Sequence, residues 1–423
     1  TTYNPFPIPD SRFPIPDSRF PIPDSPPPMT PNPPQLELYG PEDLALIPWP
    51  PTGESGEGGF RALLSAYLLE GTQTLVANVR TRFFVGVWDG RILPITVNRA
   101  EKGNSYVVSP FSHYVSYARE ELRELKNPAL ERLFNVVLAA LGALLAWGKL
   151  DHTVQVNNAL FSTNLYPVFS QKEVQSITAA LAQRFPHAAV LWRSISPYVL
   201  EQVLEQSVWP ISPLEFPEPF RLIPSRSVLF LDAPSGVQHR KKDFRNDLRA
   251  LRSSAYHLRP AREHDLERIH SLYGLLYLDK YSRLNPQFTL AFFRLAFERQ
   301  TLELWVLERP CSEGMGQVDG VLGFYTRGHM MTCPVLGYDT ALPQNLGLYR
   351  ILSAYLVLEA EKRGLVLHAS SGVAKFKRSR GAVSAQEVSA VYDAHLSPLR
   401  RLVWALLERA VRWAWRLLEQ RGL

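Results

Sequence analysis

Between Asp339 and Gly364 the chain reads DTALPQNLGLYRILSAYLVLEAEKRG. A strand-like apolar run precedes this stretch, and the spacing within it predicts a long amphipathic helix. Glycine in the first turn of a helix costs about 1 kcal/mol relative to alanine, so Gly347 needs a reason. It can ease the strand-to-helix turn. It can also let a ligand phosphate reach the backbone amides at the helix start, where unpaired N–H groups and the dipole favour an anion. Side chains with chemistry of their own surround it. Asp339 is a candidate base or amine-binding group, and equally a loop cap. Tyr338 could pass a proton, or simply pack. His368, with Ser370 and Ser371, ends the next predicted strand, as candidate site residues or as ordinary strand-end polarity. Lys280, Tyr281 and Asn285 fall in YLDKYSRLNP, a stretch denser in polar and aromatic residues than a helix end needs, able to bind a ligand or simply to end a helix. His329 and Glu387 read as solvated.

The elements that must position these residues follow from the whole chain. Its 423 residues suggest two or three domains. Apolar residues make up 46% and charged residues 20%, which suits globular cores. A formal net charge of +6 is too small to imply nucleic acid unless concentrated. Two cysteines, Cys311 and Cys333, make neither a disulfide framework nor a metal cluster, so no metal is expected and a reducing cytoplasm is the default. No early segment joins a basic start to an apolar core, so a secretory signal is not expected. The longest apolar run, 133–148, is shorter than the roughly 20 residues that span a bilayer, and reads as a buried helix.

Residues 1–56 read as a disordered, proline-rich arm in which FPIPDSR recurs, and order is expected from about Glu57. Strands are predicted for TQTLVANVRT, for RFFVGVWDGRILPITVNR with an Asp-Gly turn, and for NSYVVSPFSHYVSY. Helices are predicted at 127–150 and 171–185, with strands at VQVNNALFS and HAAVLWRSI. A proline-punctuated linker then leads to the strand SVLFLD. The second half opens with the basic helix HRKKDFRNDLRALRSS and continues with two further helices. Three strands, the glycine-bearing turn, the long helix and the strand LVLHASSG complete it.

This order resembles the second half of a GNAT-fold acyltransferase. There, a pyrophosphate-binding loop of pattern Gln/Arg-x-x-Gly-x-Gly/Ala opens a helix facing coenzyme A. Gln344-x-x-Gly347-x-Tyr349 matches the first two fixed positions, with Tyr349 where a small residue is usual. HASSGVAKFKRSRGAVSAQEVSAVY is similar to the end of the divergent branch that holds the Fem-type peptidyltransferases, with Phe376-Lys377-x-x-x-Gly381 before a last strand. The resemblance implies an α/β (α+β) fold of tandem GNAT-like halves, with mixed, largely antiparallel sheets flanked by helices. The halves are expected at 57–226 and 227–396, with a basic amphipathic helix at 397–423. It also implies acyl-CoA as co-substrate, held by Gln344, Asn345, Gly347, Leu348 and Tyr349. Asp339, Tyr338 and His368 are then the catalytic candidates, and Lys280, Tyr281 and Asn285 the acceptor-binding ones.

The function so implied is N-acyl transfer from acyl-CoA to a small-molecule or lipid amine. A Fem-type ligase using aminoacyl-tRNA and an inactive GNAT-like scaffold are the rivals. Arg245, Arg249 and Arg252 share a helical face beside Arg240, Lys241 and Lys242. That patch suits an acyl carrier protein, a transfer RNA, a coenzyme phosphate, or solvent alone. In the last helix Leu402, Leu406, Ala410 and Trp413 share a face among five arginines. Such a helix lies in a membrane interface, here the inner face, or docks on its own domain.

Overall fold

The structure, a computed structural model, describes residues 35–51, 57–122, 128–167, 169–196, 219–310 and 316–420. The repeats of the proline-rich arm and Cys311 lie outside the described residues. Residues 35–423 form one unit.

The twelve strands among the described residues are β1 (Glu37–Tyr39), β2 (Arg82–Trp88), β3 (Arg91–Arg99), β4 (His152–Val156), β5 (Ala189–Ile195), β6 (Phe220–Asp232), β7 (His257–Pro260), β8 (Glu303–Arg309), β9 (Gln317–Arg327), β10 (Met330–Tyr338), β11 (Val366–His368) and β12 (Val383–Tyr392). They make one sheet in the order β1-β2-β3-β4-β5-β12-β6-β11-β10-β9-β8-β7. Each half repeats one scheme from its outer edge inward. Four strands run antiparallel, a fifth lies parallel to the fourth, and a sixth is antiparallel to the fifth. In the first half these are β1 to β5, then β12. In the second they are β7 to β11, then β6. Each half is therefore closed by the other half's last strand. The two exchanged strands pair with each other from Val383↔Phe230 to Tyr392↔Phe220.

Alternation of side chains along each strand decides which core it feeds. On β9, Val321 packs with Ile269 and Leu272 of the helix Leu266–Tyr273. Its neighbours Leu322 and Phe324 pack with Ile351 and Leu352 of the helix Leu348–Lys362, on the other face. The Asp89-Gly90 turn joins β2 to β3 as expected. Both residues have positive φ, 48° and 73°, which matches the twist of a hairpin.

Several expectations need correction. Order does not wait for Glu57: β1 and the 3-10 helix Pro41–Leu46 already hold the edge. TQTLVANVRT is not a strand, because Thr72 turns back to donate to the Val79 carbonyl at 2.9 Å and a short helix, Thr72–Leu75, forms. NSYVVSPFSHYVSY is not a strand either. Asn104 accepts from the Arg80 amide at 2.7 Å, and Ser112 donates to the Asn104 carbonyl at 2.7 Å. Such side-chain bonds offer the backbone an alternative to a ladder. The boundary at 226/227 cuts through β6. The terminal helix, Pro398–Gln420, docks on its own fold, one of the two places open to it: Val403, Trp404 and Leu407 are buried against Val115, Leu145 and Val391.

Candidate functional site

β10 and β11 run parallel for only three register pairs, Met330↔Val366 to Thr332↔His368. Beyond them the strands part, and a wedge opens. Residues just past the divergence, Cys333 and Leu336 on one side and His368 and Ala369 on the other, line a cavity of about 690 Å³ that continues to the first half.

The loop after β11 is wound tightly around this wedge. Ser370 and Val373 adopt positive φ without being glycine, at 57° and 43°, beside Gly372 at 79°. Left-handed non-glycine residues cost about 1–3 kcal/mol each and gather at functional sites. Here the winding aims two carbonyls inward. The Lys377 ammonium donates to Ala369 O at 2.6 Å and to Ser371 O at 2.8 Å. An ammonium has three donors, which leaves one for the cavity. Burial, with Arg226 nearby, lowers the Lys377 pKa to about 8. The Ser370 amide donates to His368 Nδ1 at 3.1 Å, so the imidazole proton belongs on Nε2. Burial and Arg226 hold His368 neutral, with a pKa lowered to about 3. Cys333 is a free thiol that burial pushes up to about 12, which makes it inert.

Tyr349 lines the cavity with its ring 5.0 Å from that of Phe376. Arg380 lies over Phe376, 3.3 Å from the ring centre, and bonds Asp247. Asp247 is fully buried and also accepts from Arg350 at 2.7 Å, which ties the basic helix Lys242–Ser253 to the helix that starts at Leu348.

The first-half wall is built around a bulge. Glu387 pairs with Arg226 and Val388 with Pro224, so Ser225 is the extra residue of β6. A bulge re-aims side chains, and Ser225 and Arg226 both line the cavity. Arg226 meets Glu387 through Nε at 2.9 Å and Nη2 at 3.1 Å, and reaches Ser162 O at 2.6 Å. Ser225 Oγ lies 2.9 Å from His113 Nε2. Burial, then Arg193 and Arg226, lower the His113 pKa to about 3. His113, Tyr277 and Tyr281 sit on π-helical segments, Ser112–Ser116 and Gly274–Tyr281. Such segments recur at functional sites.

The two halves differ at the matching place. Between β4 and β5 the wedge is filled by the chain itself: Asn158, fully buried, donates to Val107 O at 2.8 Å, and Arg193 donates to the same oxygen at 2.5 Å. The helix that follows β4, Gln171–Arg184, is closed by Ser170 and the acidic Glu173 in a capping box. The helix Leu348–Lys362 has no side-chain cap and no acid in its first turn. The second half's helix start thus lacks the acid that the first half's helix carries in its first turn.

The residues singled out from sequence divide into two groups. His368, Tyr349, Tyr281 and Asn285 line the cavity; Asp339, Tyr338, Lys280, Gln344, Asn345, Gly347 and Leu348 do not. Asp339 accepts from Arg268 at 2.7 Å, which lowers its pKa, and caps the Ala341 amide at 3.0 Å. That is the geometry of a loop cap. Lys280 bonds the Tyr338 hydroxyl at 3.3 Å. Gln344 and Asn345 are exposed, whereas the Leu348 side chain is buried, so only its amide is left to meet a ligand. Gly347 has φ 66°, so the turn itself demands glycine. Asn285 donates to Tyr277 O and Ser282 O at 2.8 and 3.0 Å. Glu387, read as solvated, is buried against Arg226. A charge in the middle of an apolar inner strand was the signal for that pairing. Lys377 stood inside a quoted motif without a role. Ser225 and His113 carried no signal, because a bulge is invisible in sequence. Among the described residues no group of three His, Cys, Asp or Glu could hold a metal ion.

No protein-family model matches the chain, and no curated protein matches it. Solved structures that resemble it include FemX, at 9% identity over 83% of this chain and 98% of that one, with a TM-score of 0.41. A tandem GNAT protein from the clavulanic acid biosynthesis pathway matches at 10% identity over 85% and 98%, with a TM-score of 0.37. The C-terminal domain of a putative lysylphosphatidylglycerol synthetase from Agrobacterium fabrum matches at 10% over 57% and 77%, with a TM-score of 0.38. At these scores the fold rests on strand order rather than on superposition. By that order, by strand sense and by the repeated parallel junction, the chain has a tandem GNAT-like fold.

Proposed function

We propose that the chain is an acyltransferase that passes an acyl group to an amine at the open wedge of its second half. The observation that carries this reading is the Lys377 ammonium, held by two carbonyls beside the parted strands, with one donor left for the cavity. In acyl transfer to an amine, the nitrogen bonds to the carbonyl carbon and the bond from that carbon to the leaving sulfur breaks. The proton shed by the amine ends on the thiolate. Negative charge gathers on the carbonyl oxygen meanwhile, and a fixed cation in a dry site stabilises it. Lys377 supplies that cation. His368 Nε2–H adds a neutral donor on the same wall.

The uncapped helix start at Leu348, with Arg350 in its first turn, suits the phosphates of an acyl-CoA donor. Isothermal calorimetry with acetyl-CoA and longer acyl-CoAs tests this, followed by transfer assays on a panel of amines. Binding that is lost in Lys242→Glu/Arg350→Glu supports the donor assignment; no binding of any acyl-CoA removes it. A second reading keeps the same reacting centre but takes the acyl group from an aminoacyl ester of transfer RNA. Lys242, Arg245, Arg249 and Arg252 are exposed on the helix that carries Asp247 to the cavity, and Arg240 and Lys241 are exposed just before it. Activity abolished by ribonuclease and steeply weakened by salt would select it.

A further inference from the structure

The terminal helix Pro398–Gln420 has two apolar faces, and the fold uses one. Val403, Trp404 and Leu407 point inward and are buried. Leu399, Leu402, Leu406 and Trp413, spaced i, i+3, i+7 and i+14, lie on the other side. Leu399, Leu402 and Trp413 are 46%, 51% and 60% exposed. Arg409 and Arg416 fall one and two heptads after Leu402, on that same outward stripe. Exposed Arg401 and Arg412 flank it. The segment holds five arginines against Glu408 and Glu419. Glu408 is already engaged by Arg221 and Arg412. Arg401 and Arg409 have no acidic partner among the described residues.

A second helix adjoins this one. The helix Pro128–Trp147 meets it where Val403 fills the space beside Gly148 and Arg400 donates to the Gly148 and Lys149 carbonyls. Val136, Val137, Leu144 and Trp147 are exposed on it, and no charged residue occurs from 133 to 148. No described helix is long and apolar enough to cross a membrane.

We infer that the outward faces of these two helices form a docking surface for an anionic lipid bilayer. The charge pattern decides the occupant. A two-fold contact with a second copy would set an arginine stripe against itself, with too few acids to answer it. A bilayer accepts both components: leucine and tryptophan enter the interface, and arginines reach its phosphates along their apolar stems. The docked helix also walls the reaction cavity through Val411, Ala414 and Trp415. Docking therefore brings the cavity within about one helix diameter, roughly 10 Å, of the lipid headgroups. The inference stands apart from the reaction chemistry, since it uses none of the residues given a role there.

The test is co-sedimentation of the full chain with vesicles of phosphatidylcholine alone and of phosphatidylcholine with phosphatidylglycerol. The wild type should sediment only with the anionic vesicles, and less so as salt is raised. Arg409→Gln/Arg416→Gln should weaken binding about thirtyfold. Leu402→Ser/Trp413→Ser should weaken it about tenfold or more. Both variants change exposed side chains, so their melting curves should match the wild type. A wild type that ignores anionic vesicles overturns the inference. So does a wild-type dimer, seen by light scattering, that Leu402→Ser/Trp413→Ser converts to a monomer, because the surface then belongs to a second copy.

Discussion

Lys377 Nζ lies 2.6 Å from the carbonyl oxygen of Ala369, the residue that follows His368 at the end of β11. The parted strand thus holds the cation in place through its own backbone. Lys377→Met should leave the fold intact and lower acyl transfer by about a hundred- to a thousandfold, the loss seen when a fixed transition-state donor is removed. The pH profile separates a chemical role from a merely structural one. The lysine pKa is lowered to about 8, so the ammonium is lost as pH rises through that value. Transfer should fall there, well below the range of an ordinary lysine. In Lys377→Arg, which stays charged, that falling limb should vanish from whatever activity remains. A profile flat through pH 8 to 9 in the wild type would remove Lys377 from the chemistry.

The Arg226–Glu387 pair joins the two exchanged strands at the bulge. Glu387 is buried, and Arg226 also holds the loop at Ser162 and Thr163. Glu387→Gln leaves a guanidinium without its counter-charge, which costs about 3–5 kcal/mol. Arg226→Met/Glu387→Leu, which removes both charges, should recover most of that loss. Urea unfolding of the three proteins checks this. A Glu387→Gln change within about 0.5 kcal/mol of wild type would mean that water reaches the pair.

What could be read from the sequence follows from periodicity, and what could not follows from pairing partners. The second-half elements stood out because β8, β9 and β10 are short apolar runs bounded by polar and turn residues and the helix Leu348–Lys362 repeats every three or four residues. The exchange of β6 and β12 left no trace, since either strand's apolar pattern would satisfy its own half equally well. The cavity was half legible. A motif brought Tyr349 and His368 forward, whereas Ser225 and Arg226 face the cavity together only because a bulge breaks the alternation. The sign of φ at Gly347 and the depth of Glu387 are tertiary properties that no local pattern carries.

Trp404 tests whether the terminal helix belongs to the core. It is almost fully buried with Val403 and Leu407, against Leu145 and Val391. Trp404→Ala should cost about 3–5 kcal/mol, as large aromatic truncations in cores do. Trp413→Ala, nine residues later but 60% exposed, should change stability by about 0.5 kcal/mol or less. Thermal and urea melts of the pair decide it. Equal effects would mean that the helix is loosely attached.

Gly347 is a backbone necessity and also adjoins the helix start where donor phosphates are proposed, and substitutions can separate the two. With φ at 66° and ψ at 29°, any side chain there adopts the left-handed region, although a Cβ would meet nothing closer than Arg350 Cδ at 3.8 Å. The cost is therefore strain rather than collision, about 1 kcal/mol for alanine and less for asparagine, which tolerates this region. Gly347→Asp meets the same left-handed backbone, although an acid suits the dipole at a helix start. Gly347→Asn serves as its isosteric control for folding. If the uncapped helix start receives the donor phosphates, Gly347→Asp should weaken acyl-CoA binding by ten- to a hundredfold relative to Gly347→Asn, about 1–3 kcal/mol of like-charge repulsion. Gln344→Ala should be milder, because Gln344 is exposed and backbone amides make most of the bonds to an anion there. Calorimetry on the four proteins, with melting curves beside it, reads the difference directly. Equal affinities for the aspartate and asparagine variants would show that no phosphate comes near this turn, and the donor would have to enter the wedge from another side.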